Sequence, residues 1–170
     1  MTPVEVEIRS LLKDDRETRL FGRHLGTLVR SGDWVALTGD LGAGKTTLAQ
    51  GILEGIHPGM KGRSPTYVLV EVYGEAPRVV HADLYRLASP AEVDGLALDD
   101  LALGDAVVMV EWADRAGDRL PLDRLDLELR YVEGNGRELR IRPRGARWNE
   151  AAREGLLDRD RWSHALYPGN

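Results

Sequence analysis

The chain contains no cysteine. That excludes disulfides, thiolate nucleophiles, thiolate-bound zinc and iron–sulfur clusters. No apolar run approaches the ~18 residues that a membrane-spanning helix needs. The first residues, MTPVEVEIRSLLKDD, lack the apolar core of a secretory signal. No internal repeat and no low-complexity tract is visible. Basic charge is in short supply, with 23 Lys and Arg against 28 Asp and Glu and a net of −5. This argues against a protein that grips nucleic acid or an anionic membrane with its whole surface. Lysine is scarce, at Lys13, Lys45 and Lys61, and so is asparagine, at Asn135, Asn149 and Asn170. By elimination the chain is expected to be soluble and cytoplasmic, with no membrane association. Its 170 residues suit one compact domain that buries a sizeable core.

The chain alternates helix-like and strand-like segments. VEVEI (4–8) alternates as a strand does. Asp14, with Glu17 three residues on, looks like a capping box, and Leu20, Phe21, Leu25, Leu28 and Val29 recur at helical spacing up to Gly32. DWVALT (33–38) is a short apolar run of strand length. A second helix is expected over about 45–56. Residues 67–73 and 78–81 flank a GEAP turn as a hairpin, 90–103 carries a weak helical pattern, and AVVMV (106–110) reads as a central buried strand. A second hairpin spans 123–132 and 138–142 around Gly134-Asn135-Gly136. No linker divides the chain: 1–146 is expected to form the principal domain, and 147–170 a polar, helical extension of it.

The most specific feature is Gly39-Asp40-Leu41-Gly42-Ala43-Gly44-Lys45-Thr46, which fits G-x-x-x-x-G-K-[ST], the phosphate-binding P-loop or Walker A pattern. Glycines let successive N–H groups turn inward to form an anion nest, and the helix that follows adds its positive end. Lys45 supplies a charge for the β- and γ-phosphates. The Thr46 hydroxyl is a hard ligand suited to Mg²⁺, and Thr47 lies on the α-phosphate side. By chance the pattern arises in roughly 0.3 per cent of chains of this composition. None of the asparagines sits in the N-K-x-D pattern of a guanine reader, which favours ATP or ADP as the nucleotide. Two acids follow strand-like runs, Asp83 after RVVHA and Glu111 after AVVMV, where ligands gather in parallel sheets. Thr66, in Arg63-Ser64-Pro65-Thr66-Tyr67, falls where P-loop proteins carry switch segments.

GDLGAGKTTLAQG, SPTYVLVEVYG, HADLYRL and VMVEWADR, in this order and spacing, resemble the TsaE (YjeE) family, ATPases of tRNA threonylcarbamoyladenosine formation. The resemblance covers about Asp14 to Gly145. It implies a P-loop NTPase-like, three-layer α/β domain with a mixed sheet. It also implies Mg²⁺ on Thr46 and Glu111, Asp83 as the acid implicated in hydrolysis, and Thr66 and Trp112 in the nucleotide-responsive surroundings. Asp15 and Gly136 match positions beside the nucleotide, together with the loop Asp40, Leu41, Gly42, Ala43, Gly44, Lys45, Thr46 and Thr47. It further implies that ATP hydrolysis supports a complex of TsaD and TsaB, which transfers a threonylcarbamoyl group to adenosine-37 of tRNAs reading codons that start with A. Contact with tRNA would then be indirect. Two departures stand out: Ala82 replaces a larger aromatic common beside Asp83, and LLDRDRWSHALYPGN runs past the family's usual end.

Other readings stay open on the residues themselves. A small-molecule kinase shares the P-loop but needs an arginine-rich lid, whereas the stretch from Leu84 to Asp105 is acidic. A non-catalytic ATP-binding partner protein would not need Asp83 and Glu111. Arg137, Arg140, Arg142, Arg144 and Arg147 form a basic stripe that could meet RNA, with strand alternation placing Arg140, Arg142 and Arg144 on one face. Arg63 and Arg86 are the candidate arginine fingers.

Overall fold

A computed structural model describes residues 5–63, 67 and 69–163. Among the described residues one sheet holds seven strands: β1 (Ile8–Leu12), β2 (Trp34–Gly39), β3 (Val70–Tyr73), β4 (Arg78–Asp83), β5 (Ala106–Glu111), β6 (Leu125–Tyr131) and β7 (Arg137–Pro143). Their order is β1-β7-β6-β2-β5-β4-β3. The inner four, β6, β2, β5 and β4, run parallel, and antiparallel partners close both edges. The fold is thus the mixed-sheet α/β class that the motifs imply.

Alternation sorts the side chains onto two faces. Val35 and Leu37 of β2, with Met109 of β5 and Val79 of β4, join a core under α1 (Asp15–Leu28) and α2 (Lys45–Ile56). Trp34 and Ala36, with Val108, Val110, Val80 and Ala82, form a second core. It is covered by the one-turn helices α3 (Ala91–Asp94) and α4 (Leu98–Leu101) and by a 3-10 turn, Ala113–Ala116. The sheet is therefore the middle of three layers.

The first helix begins as its sequence suggests. Asp14 Oδ1 accepts the Glu17 N–H at 2.8 Å, and Glu17 Oε2 accepts the Lys13 N–H at 2.9 Å, which ties down two donors at the helix start. Several boundaries differ from expectation. β1 starts at Ile8, the last residue of VEVEI, because its pairing with β7 runs from Ile8↔Ile141 to Leu12↔Arg137, and Leu12 is the residue that reaches the core. β3 begins at Val70, where its partners on β4 begin, and β4 continues to Asp83 because its ladder with β5 ends at Asp83↔Glu111. The stretch 90–103 breaks into α3 and α4 around Gly95 and Ala97, the latter held at φ 52°.

α1 and α2 cross almost backbone to backbone. Gly22 and Gly26 face Gly51 and Gly55; a Cβ at Gly51 would lie 2.4 Å from Arg19 O, and one at Gly26 2.4 Å from Ile52 O. The seam fixes the start of α1, with Asp15, relative to the P-loop helix. The C-terminal helices α5 (Ala146–Arg153) and α6 (Arg159–Ser163) join the same core through Trp148, Ala151 and Trp162. Trp162 meets Phe21 edge-on at 5.5 Å, and Arg159 pairs with buried Glu17 at 2.9 Å. Among the described residues no helix is long and apolar enough to cross a membrane.

Alanine ordinarily stabilises a helix interior by about 1 kcal/mol over glycine. At Gly51 the crowding reverses the sign, and Gly51→Ala is expected to cost about 2 kcal/mol. Chemical denaturation read by circular dichroism checks this; a stabilised variant would mean that the seam does not exist.

Candidate nucleotide and cation site

The carboxyl ends of the four parallel strands meet along one edge of the sheet, at Tyr131, Gly39, Glu111 and Asp83. A cleft of about 270 Å³ opens there. Asp15, Leu41, Gly42, Gly44, Lys45, Thr46, Thr47, Asp83 and Glu111 line it, joined by Tyr85, Trp112 and Arg137.

The loop from Gly39 to Lys45 returns the chain over the end of β2. Gly44 caps α2 at φ 108° and ψ 14°, a left-handed conformation that side chains resist. Gly42 is at φ 76°, and a Cβ there would come within 2.7 Å of the Tyr131 hydroxyl. The helix's own ladder opens with Leu48 N–H donating to Gly44 O, so the N–H groups of Lys45, Thr46 and Thr47 have no partner within it. They face the cleft edge with the positive end of the helix, an arrangement that suits phosphate.

Lys45 is only 4 % exposed. Its ammonium donates to Gly39 O at 2.5 Å and Asp40 O at 2.8 Å and lies 4.1 Å from the centre of the Trp112 ring. Burial holds its pKa below the usual lysine value, while the charges of Glu111, Asp114, Asp83 and Asp40 pull the other way. Trp112 itself is left-handed, at φ 55° and ψ 41°, a strain of about 1–2 kcal/mol in a residue with a side chain. Its ring packs on Tyr85 at 4.9 Å between centroids.

Glu111, at the end of β5, accepts the Thr46 hydroxyl on Oε2 at 2.9 Å and faces His81 Nε2 from Oε1 at 2.8 Å. Asp83 Oδ1 accepts the Tyr85 N–H at 2.9 Å. Among the described residues no group of three or more His, Cys, Asp and Glu side chains is placed to hold a metal ion. A hydroxyl and a carboxylate side by side are instead the partial, hard-oxygen set that suits Mg²⁺, whose remaining ligands come from phosphates and water. The donor set therefore fits the ion.

The remaining sequence candidates are placed as follows. Asp15 reaches the cleft from the first residue of α1. Asp40, Ala43 and Gly136 do not line it: Asp40 and Ala43 act through their backbone carbonyls, and Gly136 O accepts Arg137 Nη1. Thr66 lies outside the described residues. Neither Arg63 nor Arg86 lines the cleft, and Arg86 sits over the Tyr67 ring at 4.7 Å.

The basic stripe divides. Arg140 pairs with Glu138, Arg142 with Glu7 and Glu128, and Arg144 with Asp126. Arg147 forks onto Asp33. Each of these cations is thus paired with one or more of the protein's own acids. Arg137 lies at the cleft, with its side chain 11 % exposed and Nη2 3.9 Å from Asp15 Oδ1. It donates through Nε to Ala43 O at 2.9 Å and through Nη1 to Asn135 O and Gly136 O, and it stacks over Tyr131 at 4.3 Å. Sequence reasoning missed Arg137, Tyr85 and His81 as parts of this site. Parity was the available signal for Arg137, which shares the inward face of β7 with Leu139 and Ile141, opposite Arg140 and Arg142.

Comparison with known proteins adds the following. The family model described as "Threonylcarbamoyl adenosine biosynthesis protein TsaE" matches residues 12–139. The chain is 41 % identical over 143 residues to the tRNA threonylcarbamoyladenosine biosynthesis protein TsaE of Streptomyces coelicolor, covering 78 % of this chain and 95 % of that one. With the Bacillus subtilis protein of the same name it shares 32 % identity over 139 residues, 81 % and 87 % of the two chains. The Haemophilus influenzae counterpart is 46 % identical over 100 residues, 58 % and 63 % of the two chains. The crystal structure of YdiB from Bacillus subtilis superposes with a TM-score of 0.77 at 27 % identity, over 94 % of this chain and 99 % of that one.

Two expectations follow from the geometry. Arg137→Ala unfastens the loop from β7, and nucleotide affinity in a titration of the purified protein should fall about ten-fold, the worth of a hydrogen bond to a charged group. The second concerns acid. The pKa of Glu7 lies below the usual carboxylate value through its bonds to Arg9 and Arg142. Burial alone would raise that of Glu128, but Arg130 and Arg142 outweigh it and the net shift is downward. Lowered carboxylates stabilise fully above their unfolded pKa and lose that contribution as pH falls through the folded value. Melting temperature should therefore drop below about pH 4, and by about 1–3 °C less in Glu128→Gln than in the parent, as thermal scans at pH 3 and 6 would show.

Proposed function

The chain belongs to the TsaE family and acts in tRNA threonylcarbamoyladenosine biosynthesis, and from that premise we propose that its own contribution is Mg²⁺-dependent hydrolysis of ATP in the cytoplasm. The observation that carries the reading is the meeting of a P-loop, a hydroxyl–carboxylate pair and a second strand-end acid around one cleft. Lys45 and the loop's N–H groups bind the phosphates. Thr46 and Glu111 hold the ion. Bound Mg²⁺ supplies positive charge against the phosphate oxygens as negative charge builds on the leaving group. Asp83, braced by the Tyr85 N–H, orients the attacking water and takes up its proton. Asp15 and Thr47 complete the nucleotide's surroundings, and Trp112 and Tyr85 line the cleft beside them.

Among the described residues, a cation besides Lys45 that is free to approach the γ-phosphate is the part supplied least well. Arg137 is occupied by three backbone carbonyls and lies 3.9 Å from Asp15. Slow turnover alone, and faster turnover in a complex with TsaD and TsaB, follows from that. Contact with tRNA is then through the complex. A kinase would need a lid of arginines over the cleft, and among the described residues Arg137 is the arginine that lines it.

The test is nucleotide binding and phosphate release by the purified protein, alone and with TsaB and TsaD. Lys45→Ala should lose binding. Glu111→Ala should weaken binding about ten-fold in Mg²⁺ and little in chelator. Asp83→Ala should bind within two-fold of the parent and lose roughly 100-fold in turnover. Equal binding losses for Asp83 and Glu111, or a rate unchanged by the partners, would contradict this division of roles.

A further inference from the structure

His81 is a buried polar residue that the proposed chemistry does not use. It lies on β4 two residues before Asp83 and points to the same face of the sheet, the face under α2. The register Asp83↔Glu111 places its ring beside the carboxylate at the end of β5. Nε2 is 2.8 Å from Glu111 Oε1, and each side chain is 2 % exposed. The other carboxylate oxygen accepts the Thr46 hydroxyl. Among the described residues, each side-chain oxygen of Glu111 thus has one donor, from two different elements.

We infer that His81 is a positioning residue: it locks the rotation of the Glu111 carboxylate so that Oε2 faces Thr46, and thereby sets the affinity of this site for a divalent cation. The inference rests on the reading that Thr46 and Glu111 hold Mg²⁺. The physical ground is the freedom that glutamate otherwise keeps. Its three side-chain torsions let the carboxylate swing, and one hydrogen bond from Thr46 leaves rotation about that contact. A second donor on the other oxygen removes it. Histidine suits the task because its ring reaches the carboxylate with two torsions to order, where glutamine needs three. With the pair buried, water is poorly placed to substitute for the lost donor. A histidine that merely satisfied its own hydrogen bond would affect stability; one that orients a ligand also changes cation affinity, as donors to metal-bound carboxylates do by about 10–100-fold.

Binding of ATP is measured by calorimetry in Mg²⁺ and in chelator, with thermal melts on each protein. The parent should bind more tightly in Mg²⁺. In His81→Leu that Mg²⁺-dependent gain should shrink about ten-fold while affinity in chelator stays within two-fold. His81→Gln, which returns a donor at the position of Nε2, should recover most of the gain. If His81→Leu does not fold, His81→Asn, whose amide is too short to reach Oε1, replaces it. A variant that melts lower but keeps the full Mg²⁺ dependence would overturn the inference and leave the cation site standing. A parent whose binding ignores Mg²⁺ would overturn the cation site itself, and the inference with it.

Discussion

β2 ends at Gly39, between the carboxyl ends of β6 and β5, and the chain must reverse there without leaving the edge of the sheet. The space is tight: a Cβ on Gly39 would lie 2.4 Å from Leu129 O. The reversal is made through left-handed Gly42 and Gly44, and it delivers α2 with its free N–H groups aimed along that edge. Because β5 and β4 run parallel to β2, their last residues arrive at the same edge. A helix start that attracts anions and two acids that attract cations are thus forced into one cleft. The nucleotide and divalent ion proposed for the cleft would satisfy both.

The charges in the cleft are balanced rather than complementary. Lys45 is buried, and burial disfavours its charge, yet Glu111, Asp114, Asp83 and Asp40 keep it from going further down. An arriving phosphate strengthens the charged form. Trp112 adds the face of its ring to the ammonium and takes a strained backbone to do so. Away from the cleft the pattern is different. Arg140 and Arg142 on the outer face of β7, and Arg144 just past its end, are matched by acids on β6, β7 and the segment before β1. The protein's net negative charge therefore coexists with an arginine-rich face whose cations are paired with acids.

Much of this was legible in the sequence because its causes are local. G-x-x-x-x-G-K-T announces a strand–loop–helix turn through steric demands of single residues, and Asp14 with Glu17 announces a helix start through two hydrogen bonds. AVVMV reads as a strand buried on both faces, and all of β5 is buried. Asp83 and Glu111 could be placed at strand ends from the apolar runs before them. The misplaced boundaries have one cause. Where β1 and β3 begin depends on how far their partners extend, and VEVEI or YVLVEVY carries the alternation of a strand whether or not a partner lies beside it. The broken helix at 90–103 was weakly patterned, and Ala97 gives no local hint of its left-handed turn.

The sequence by itself determined the P-loop, the alternation of helix and strand, the sorting of inward and outward residues and, through four ordered motifs, the family. Those properties rest on torsional preference, hydrophobic period and spacing, which act over a few residues. Only the tertiary structure decided that Arg137 fastens Ala43 across 94 residues of chain, that His81 faces Glu111 across 30, and that Trp162 closes the core over Phe21. Such contacts are set by strand order and register, where a shift of one residue turns every side chain to the opposite face, so no short-range pattern can encode them.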